Sequence, residues 1–87
     1  MYVIIVYDIG VTRVTKVCNY LRQYLNWVQN SVFEGEVTKG KLEKIRAGLK
    51  KRIDDEVDSI YIYKVRNEKW LDREVMGTEK SPTDTII

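Results

Sequence analysis

The spacing of apolar positions changes along this chain and divides it into predicted strands and helices. Residues 2–7 form a continuous apolar run of β-branched and aromatic residues, which is typical of a central, buried strand. Apolar residues then recur at helical spacing and predict an amphipathic helix over residues 13–25. A second helical pattern follows Thr38, a good N-cap, and continues to about residue 53. It contains Gly48, where a small residue would allow close packing.

The segment between the two helices has strand character. Residues 27–29 and 32–37 read as two strands with a turn at Asn30 and Ser31, and one long kinked strand is the alternative. Gly35 is a candidate β-bulge. Residues 59–65 predict a further strand, with Ile60 and Ile62 on one face and Tyr61 and Tyr63 on the other.

The order strand, helix, strand, strand, helix, strand predicts an α+β, ferredoxin-like βαββαβ fold. The right-handed crossover rule places both helices on one face of a four-stranded antiparallel sheet. We expect one domain over residues 1–77 that ends in a short C-terminal edge strand at 74–77, followed by a mobile tail at 78–87. An open sheet face carrying aromatic side chains would favour a second copy of the chain or a ligand; the candidates are Tyr2, Phe33, Tyr61 and Tyr63.

Composition excludes several classes of function. The 87 residues include no histidine, which excludes Ser-His-Asp and Cys-His catalysis and the usual histidine-containing zinc sites. No apolar run reaches the roughly 18 residues of a transmembrane helix. The single cysteine, Cys18, fits a reducing compartment, and the N-terminal segment lacks signal-peptide features, so we expect a cytoplasmic protein.

Positive charge is concentrated in the second predicted helix. The net charge of the chain is only +2, yet residues 39–52 hold seven basic residues and one acid. A solvated helix face and a phosphate-binding surface are equally compatible with this pattern. The candidate nucleic-acid contacts are Lys39, Lys41, Lys44 and Arg46.

Asp8 is the main candidate for chemistry. It ends the buried first strand beside a glycine-containing turn, where an aspartate commonly caps the turn through its own side chain. The functional alternative is a metal ligand, because magnesium is held by one or two protein carboxylates together with water and substrate phosphates. A two-fold dimer could bring two copies of Asp8 together.

Short motifs at a characteristic spacing carry a family resemblance over about residues 1–77. They are Tyr7-Asp8-Ile9, then Val28-Gln29, then Ser31-Val32-Phe33-Glu34-Gly35. The chain thereby resembles the small CRISPR-associated endoribonucleases, the second of the two universal spacer-acquisition proteins.

The resemblance implies a homodimer packed sheet to sheet, in which the strand at 74–77 joins the sheet of the partner. It implies that Asp8 lies at the dimer interface as a ligand of Mg²⁺, or alternatively of Mn²⁺, in an endonuclease acting on single-stranded RNA or on DNA. Tyr7, Arg13 and Phe33 would then support catalysis by positioning and by phosphate contact. The resemblance also implies that the dimer bridges two integrase dimers of the adaptation complex.

Other classes of function compete with the metal-dependent endonuclease. A non-catalytic architectural dimer could hold duplex backbone on its basic helix without sequence preference. An RNA-recognition domain shares the topology, but its aromatic strand signature is missing from this sequence. A small-molecule regulatory domain is also compatible with the fold.

Overall fold

The first strand, β1, lies in the middle of the sheet and pairs with a neighbour on each side. The structure is a computed structural model and describes residues 1–80. The elements follow in the order β1 (Tyr2–Asp8), α1 (Val11–Leu21), β2 (Asn26–Gln29), β3 (Val32–Glu36), α2 (Lys39–Lys50) and β4 (Ser59–Val65), with a short 3₁₀ helix at Glu68–Trp70.

The sheet has the strand order β2-β3-β1-β4, and every neighbouring pair is antiparallel. Both helices pack on one face, where their apolar stripes share a single core with the sheet. The predicted ferredoxin-like βαββαβ fold is therefore confirmed. Among the described residues, no helix combines the length and the apolar character needed to span a membrane.

Alternation along β1 separates the two faces of the sheet. Val3, Ile5 and Tyr7 belong to the core beneath the helices, while the residues between them point to the open face. The sheet and both helices contribute fully buried side chains to the core. The largest are Phe33, Ile5, Leu21, Ile45, Val3 and Val17.

Helix α1 begins and ends earlier than the predicted 13–25. Its last α-helical residue is Leu21, because the amides of Gln23 and Tyr24 donate to carbonyls only three residues before them. These tighter turns still bring Leu25 into the core. Helix α2 begins after Thr38 as predicted, since the Thr38 hydroxyl accepts a hydrogen bond from the Lys41 amide at 3.0 Å.

The segment between the helices forms two strands, not one kinked strand. Asn30 turns the chain with a φ of 34°, a left-handed conformation that asparagine tolerates better than most residues. The irregularity lies in β2, between Trp27 and Gln29, and not at Gly35. Gly35 is in regular register, and a Cβ there would approach the Leu25 side chain to 3.1 Å, so the glycine lets β3 pack closely against the turn that follows α1.

Residues 74–77 form no strand within one copy of the chain, and their predicted addition to the sheet of a partner stays a prediction. The chain after the 3₁₀ helix lies over the open face of the sheet, where Arg73 binds Glu34 of β3. A strand needs a neighbouring edge to share backbone hydrogen bonds, and a path over the face offers none. Of the tail predicted at 78–87, residues 81–87 lie outside the described part of the chain.

Candidate metal-binding site and nucleic-acid surface

Asp8 is the last residue of β1 and is exposed. It follows the alternation of Tyr2, Ile4 and Val6 and therefore points to the open face of the sheet. Its register partner is Ser59, the first residue of β4, so the last rung of the β1–β4 ladder fixes its backbone. This placement presents a carboxylate to solvent from a rigid strand end.

Tyr7 points the opposite way, into the core. Its hydroxyl lies 3.1 Å from the Cys18 sulfur and donates to the Asn30 carbonyl at 3.4 Å. Burial, reinforced by the hydrogen bond with Cys18, raises the pKa of the Tyr7 phenol well above its usual value. Tyr7 therefore stays protonated and positions the turn at Asn30, which corrects the phosphate-contact role predicted for it.

Phe33 also belongs to the core and is 0% exposed. Its ring lies 6.0 Å from the ring of Tyr7, centroid to centroid, in a tilted arrangement. Because β3 alternates like β1, the register pairing of Phe33 with Ile5 places both beneath the helices. The prediction that Phe33 lies on the open face or contacts substrate is therefore wrong, and its contribution is packing.

Arg13 is engaged by an acid that the sequence reasoning missed. Its Nε and Nη2 donate to the two carboxylate oxygens of Asp58 at 2.6 and 2.8 Å, a bidentate pair. Asp58 also accepts from the amides of Gly10 at 2.9 Å and Asp54 at 2.8 Å. Because Asp58 holds two donor groups of Arg13, Nε and Nη2, this arginine organises the turn after Asp8; the phosphate contact predicted for it stays a prediction.

The electrostatics of the pair agree with its geometry. Hydrogen bonds from Arg13, with further ones from the Asp54 and Gly10 amides, hold the pKa of Asp58 well below its usual value, against the opposing effect of burial. The hydrogen bonds to Asp58 raise the pKa of Arg13. A signal for the pair existed in the sequence, because the βαββαβ topology brings the residues after β1 and those before β4 to the same end of two neighbouring strands.

The basic residues of α2 lie on its solvent side, around a buried stripe of Leu42, Ile45, Gly48 and Leu49. Lys39, Lys41 and Lys44 are exposed, and Arg46 is half-buried. Two of the four cations have protein partners: Arg46 pairs with Glu43 at 2.7 Å, and the Lys41 ammonium lies 5.4 Å from the centre of the Tyr24 ring. Lys39 and Lys44 are thus the members best placed for an external phosphate.

The open sheet face carries a second ion pair that sequence reasoning also missed. Glu34 is only 4% exposed, and the Arg73 guanidinium contacts both of its carboxylate oxygens. Burial, with a further effect of the Glu34 charge, raises the pKa of Tyr2 to about 12. Glu36, two residues along the same strand, is by contrast exposed and pairs with the N-terminal ammonium at 2.9 Å.

Metal-ligating residues do not cluster in the part of the chain that the structure describes. Across residues 1–80, no group of three or more histidine, cysteine, aspartate or glutamate side chains could hold a metal ion. A single chain therefore offers Asp8 as one exposed carboxylate, and hard cations accept such oxygen ligands. The donor fits magnesium or manganese as part of a site completed by another carboxylate, water or phosphate.

Comparison with known proteins identifies the family. The model of the family described as CRISPR associated protein Cas2 matches residues 1–73. The chain belongs to the Cas2 family. A protein named CRISPR-associated endoribonuclease Cas2 from Pyrococcus furiosus is 56% identical over 87 residues, covering 100% of both chains. A relative of the same name from Methanocaldococcus jannaschii is 54% identical, covering 100% of this chain and 76% of the other.

Solved Cas2 structures share the fold. One, described as the crystal structure of cas2, matches with a TM-score of 0.87 and 46% identity over 100% of this chain and 98% of the other. Streptococcus pyogenes Cas2 matches with a TM-score of 0.77 and 32% identity over 88% of this chain and 100% of the other. The matched family region contains Asp8, the Arg13–Asp58 pair and all of α2.

Proposed function

We propose that this Cas2 family member is a metal-dependent endonuclease of CRISPR spacer acquisition, acting as a homodimer on single-stranded RNA or on DNA. The observation that carries the proposal is the exposed Asp8 carboxylate, held by the last β1–β4 rung at the edge of an open sheet face. The relatives named endoribonuclease support the reaction class. In the dimer, the two copies of Asp8 face one another.

Two facing copies of Asp8 would supply the one or two carboxylates that magnesium typically takes from a protein. A bound Mg²⁺ or Mn²⁺ would supply activation of the attacking water and would offset charge on the scissile phosphate. The remaining work falls to the chain itself. Lys39 and Lys44 hold the phosphate backbone, and the Arg13–Asp58 pair keeps the turn beside Asp8 in place.

A non-catalytic role as an architectural dimer is the second candidate. The observation that favours it is the inward orientation of Tyr7 and Phe33 together with the pairing of Arg13, which leaves Asp8 as the one exposed group of the predicted catalytic set. In this role the basic face of α2 holds nucleic acid through phosphate contacts alone. The dimer then bridges two dimers of the spacer integrase in the adaptation complex.

The two candidates differ in what Asp8→Asn does. Asparagine keeps the shape of the side chain but lacks the charge that a divalent cation needs. Endonuclease activity on labelled RNA and DNA should fall at least about 100-fold, as should activity of the unchanged protein in EDTA, since either change removes metal assistance. Dimer mass and nucleic-acid affinity should be retained. Asp55→Asn, in an exposed loop, is the matched control and should leave activity unchanged.

Each outcome decides between the roles. Full activity in Asp8→Asn would overturn the catalytic assignment. If neither protein cuts RNA or DNA with Mg²⁺ or Mn²⁺ while both bind duplex, the architectural role is the one that survives. Activity that is lost in Asp8→Asn and in EDTA, but kept in Asp55→Asn, is the result expected of the endonuclease.

A further inference from the structure

We propose that Asp58 is a positioning residue for Asp8, and that its carboxylate sets the direction in which Asp8 is presented to a divalent cation. The inference rests on the proposed function of Asp8 and deepens it. The Asp58 side chain is 1% exposed, and its hydrogen bonds come from Arg13 and from the amides of Gly10 and Asp54. A direct ligand role for Asp58 does not fit this burial, and its contacts with the metal site run through the backbone that carries Asp8.

Two sets of backbone contacts connect Asp58 with Asp8. Asp8 pairs with Ser59 in the last rung of the β1–β4 ladder, and Asp58 directly precedes Ser59. The Asp58 Oδ1 accepts from the Gly10 amide at 2.9 Å, two residues beyond Asp8. The two peptide units after Asp8 are thus held at one end by the ladder and at the other by Asp58, which leaves the Asp8 backbone little freedom to rotate.

Four donors fix the Asp58 carboxylate itself. The Arg13 fork occupies one side, and the amides of Gly10 and Asp54 complete the set. A carboxylate that accepts several charge-assisted bonds in a buried position has one strongly preferred orientation. It lies at the start of α1, where negative charge is also favoured by the helix dipole.

Gly10 is needed for this arrangement. A Cβ at position 10 would overlap the Arg13 guanidinium, which lies across the Gly10 backbone, and would lie 3.6 Å from the Asp58 Oδ1. Helix α1 also begins after Gly10 with no side-chain cap of its own, so the acid that organises its first turn is Asp58, 48 residues along the chain. Gly10, Arg13 and Asp58 thus hold the backbone beside Asp8 through polar contacts that packing of the apolar core alone would not require.

Asp58→Asn tests the role in the full-length protein. Asparagine can still accept from one amide, but its NH₂ group would face the donors of Arg13 and release the fork. We expect affinity for Mn²⁺, measured by water proton relaxation without substrate, to fall by about 10-fold or more, the size of effect typical of residues that orient a metal ligand. The turnover number should fall with it, whereas KM for RNA should stay within about twofold because Asp58 is buried away from substrate.

Controls separate positioning from stability and from the proposed function itself. All measurements are made well below the melting temperature, with folded fraction and dimer mass checked for each variant. Asp55→Asn makes the same charge change in an exposed loop and should leave Mn²⁺ affinity unchanged. Asp8→Asn should remove Mn²⁺ binding altogether. If Asp8→Asn binds Mn²⁺ like the unchanged protein, the proposed function fails and this inference fails with it.

A milder variant covers the case in which Asp58→Asn does not fold. Arg13→Lys keeps the positive charge but cannot make the bidentate contact with Asp58, whose two amide donors remain. It should therefore weaken Mn²⁺ affinity by about threefold. If Asp8→Asn loses Mn²⁺ binding but the folded Asp58→Asn protein binds it normally, the positioning role alone is overturned. An unchanged Mn²⁺ affinity in Arg13→Lys would have the same meaning if Asp58→Asn proves unfolded.

Discussion

Gly48 illustrates at the scale of one residue how packing overrides helix propensity. It lies inside α2, where alanine would ordinarily be preferred by about 1 kcal/mol. A Cβ at this position would overlap the phenol of Tyr20, whose hydroxyl donates to the Lys44 carbonyl at 2.9 Å. The Arg52 guanidinium lies 4.0 Å from the centre of the same ring, so the phenol has little room to move. The close packing expected at Gly48 is confirmed.

Gly48→Ala should therefore destabilise the protein by about 1–3 kcal/mol, since overpacking outweighs the gain in propensity. The measurement is the free energy of unfolding in urea. Gly40→Ala is the matched control, because it lies in the exposed first turn of α2 with nothing within 4 Å of its Cβ. That change should be neutral or stabilising by up to about 1 kcal/mol. Equal effects of the two substitutions would contradict the argument.

Asp58 should give the protein a recognisable response to acid. Because the folded-state pKa of Asp58 is lowered, its ionised form contributes stability that is fully present above the ordinary carboxyl pKa of about 4 and is lost as the pH falls below that value. The stability difference between the unchanged protein and Asp58→Asn should thus shrink between about pH 5 and pH 2. Urea unfolding of both proteins across this range measures it. A difference that stays constant with pH would mean that the charge of Asp58 does not contribute.

At the scale of elements, the basic face of α2 is the surface best suited to phosphate. Its four predicted contacts are not equivalent, because Glu43 partly neutralises Arg46, and Lys41 lies against Tyr24. Lys39 and Lys44 are therefore the residues of α2 most expected to contact phosphate. Each is exposed and lies outside the apolar stripe that anchors the helix.

The double variant Lys39→Gln/Lys44→Gln should weaken duplex binding and reduce its salt dependence. The slope of log K against log salt is negative, and each lost phosphate contact reduces its magnitude by about 0.9. Loss of both contacts should therefore reduce the magnitude by about 1.8. Fluorescence anisotropy over a salt series gives the slope. Lys69→Gln/Lys80→Gln changes the net charge equally at exposed positions outside α2. If the two double variants behave alike, α2 is only a solvated face.

Element types and their order could be predicted from periodicity alone, whereas the roles of individual side chains could not. The continuous apolar run at residues 2–7 gives no indication of which residues face the helices, so Tyr7 and Asp8 looked like neighbours in one site although they lie on opposite faces. The partners of Arg13 and Glu34 are 45 and 39 residues away and appear only once the strands are in register. The placement of Asp8 at the exposed end of β1 was predictable because a strand end is a local feature of the sequence, whereas its role in metal binding stays a prediction.

At the scale of the whole molecule, the open sheet face is the surface that a second copy would cover. It carries Tyr61 and Tyr63, which are 60% and 55% exposed and stack with ring centres 6.4 Å apart, beside Ile4 and Val6 of β1. The C-terminal segment crosses the other half of this face and is fixed there by Arg73 and Glu34. Asp8 lies at the end of the same face, so packing sheet to sheet would bring its two copies near each other.

The dimer prediction can be tested through the two tyrosines without touching the core. Tyr61→Lys/Tyr63→Lys should raise the dimer dissociation constant by about 100-fold or more, because four like charges would meet in a desolvated interface. The monomer should stay folded, since both side chains are more than half exposed. Val57→Lys, at a position 70% exposed outside the sheet, is the matched control and should leave the dimer intact. Sedimentation equilibrium at micromolar concentration gives the dissociation constants. If the unchanged protein sediments as a monomer, one chain presents one Asp8 carboxylate and the paired metal site is excluded; if the tyrosine variant dimerises normally, the interface lies elsewhere.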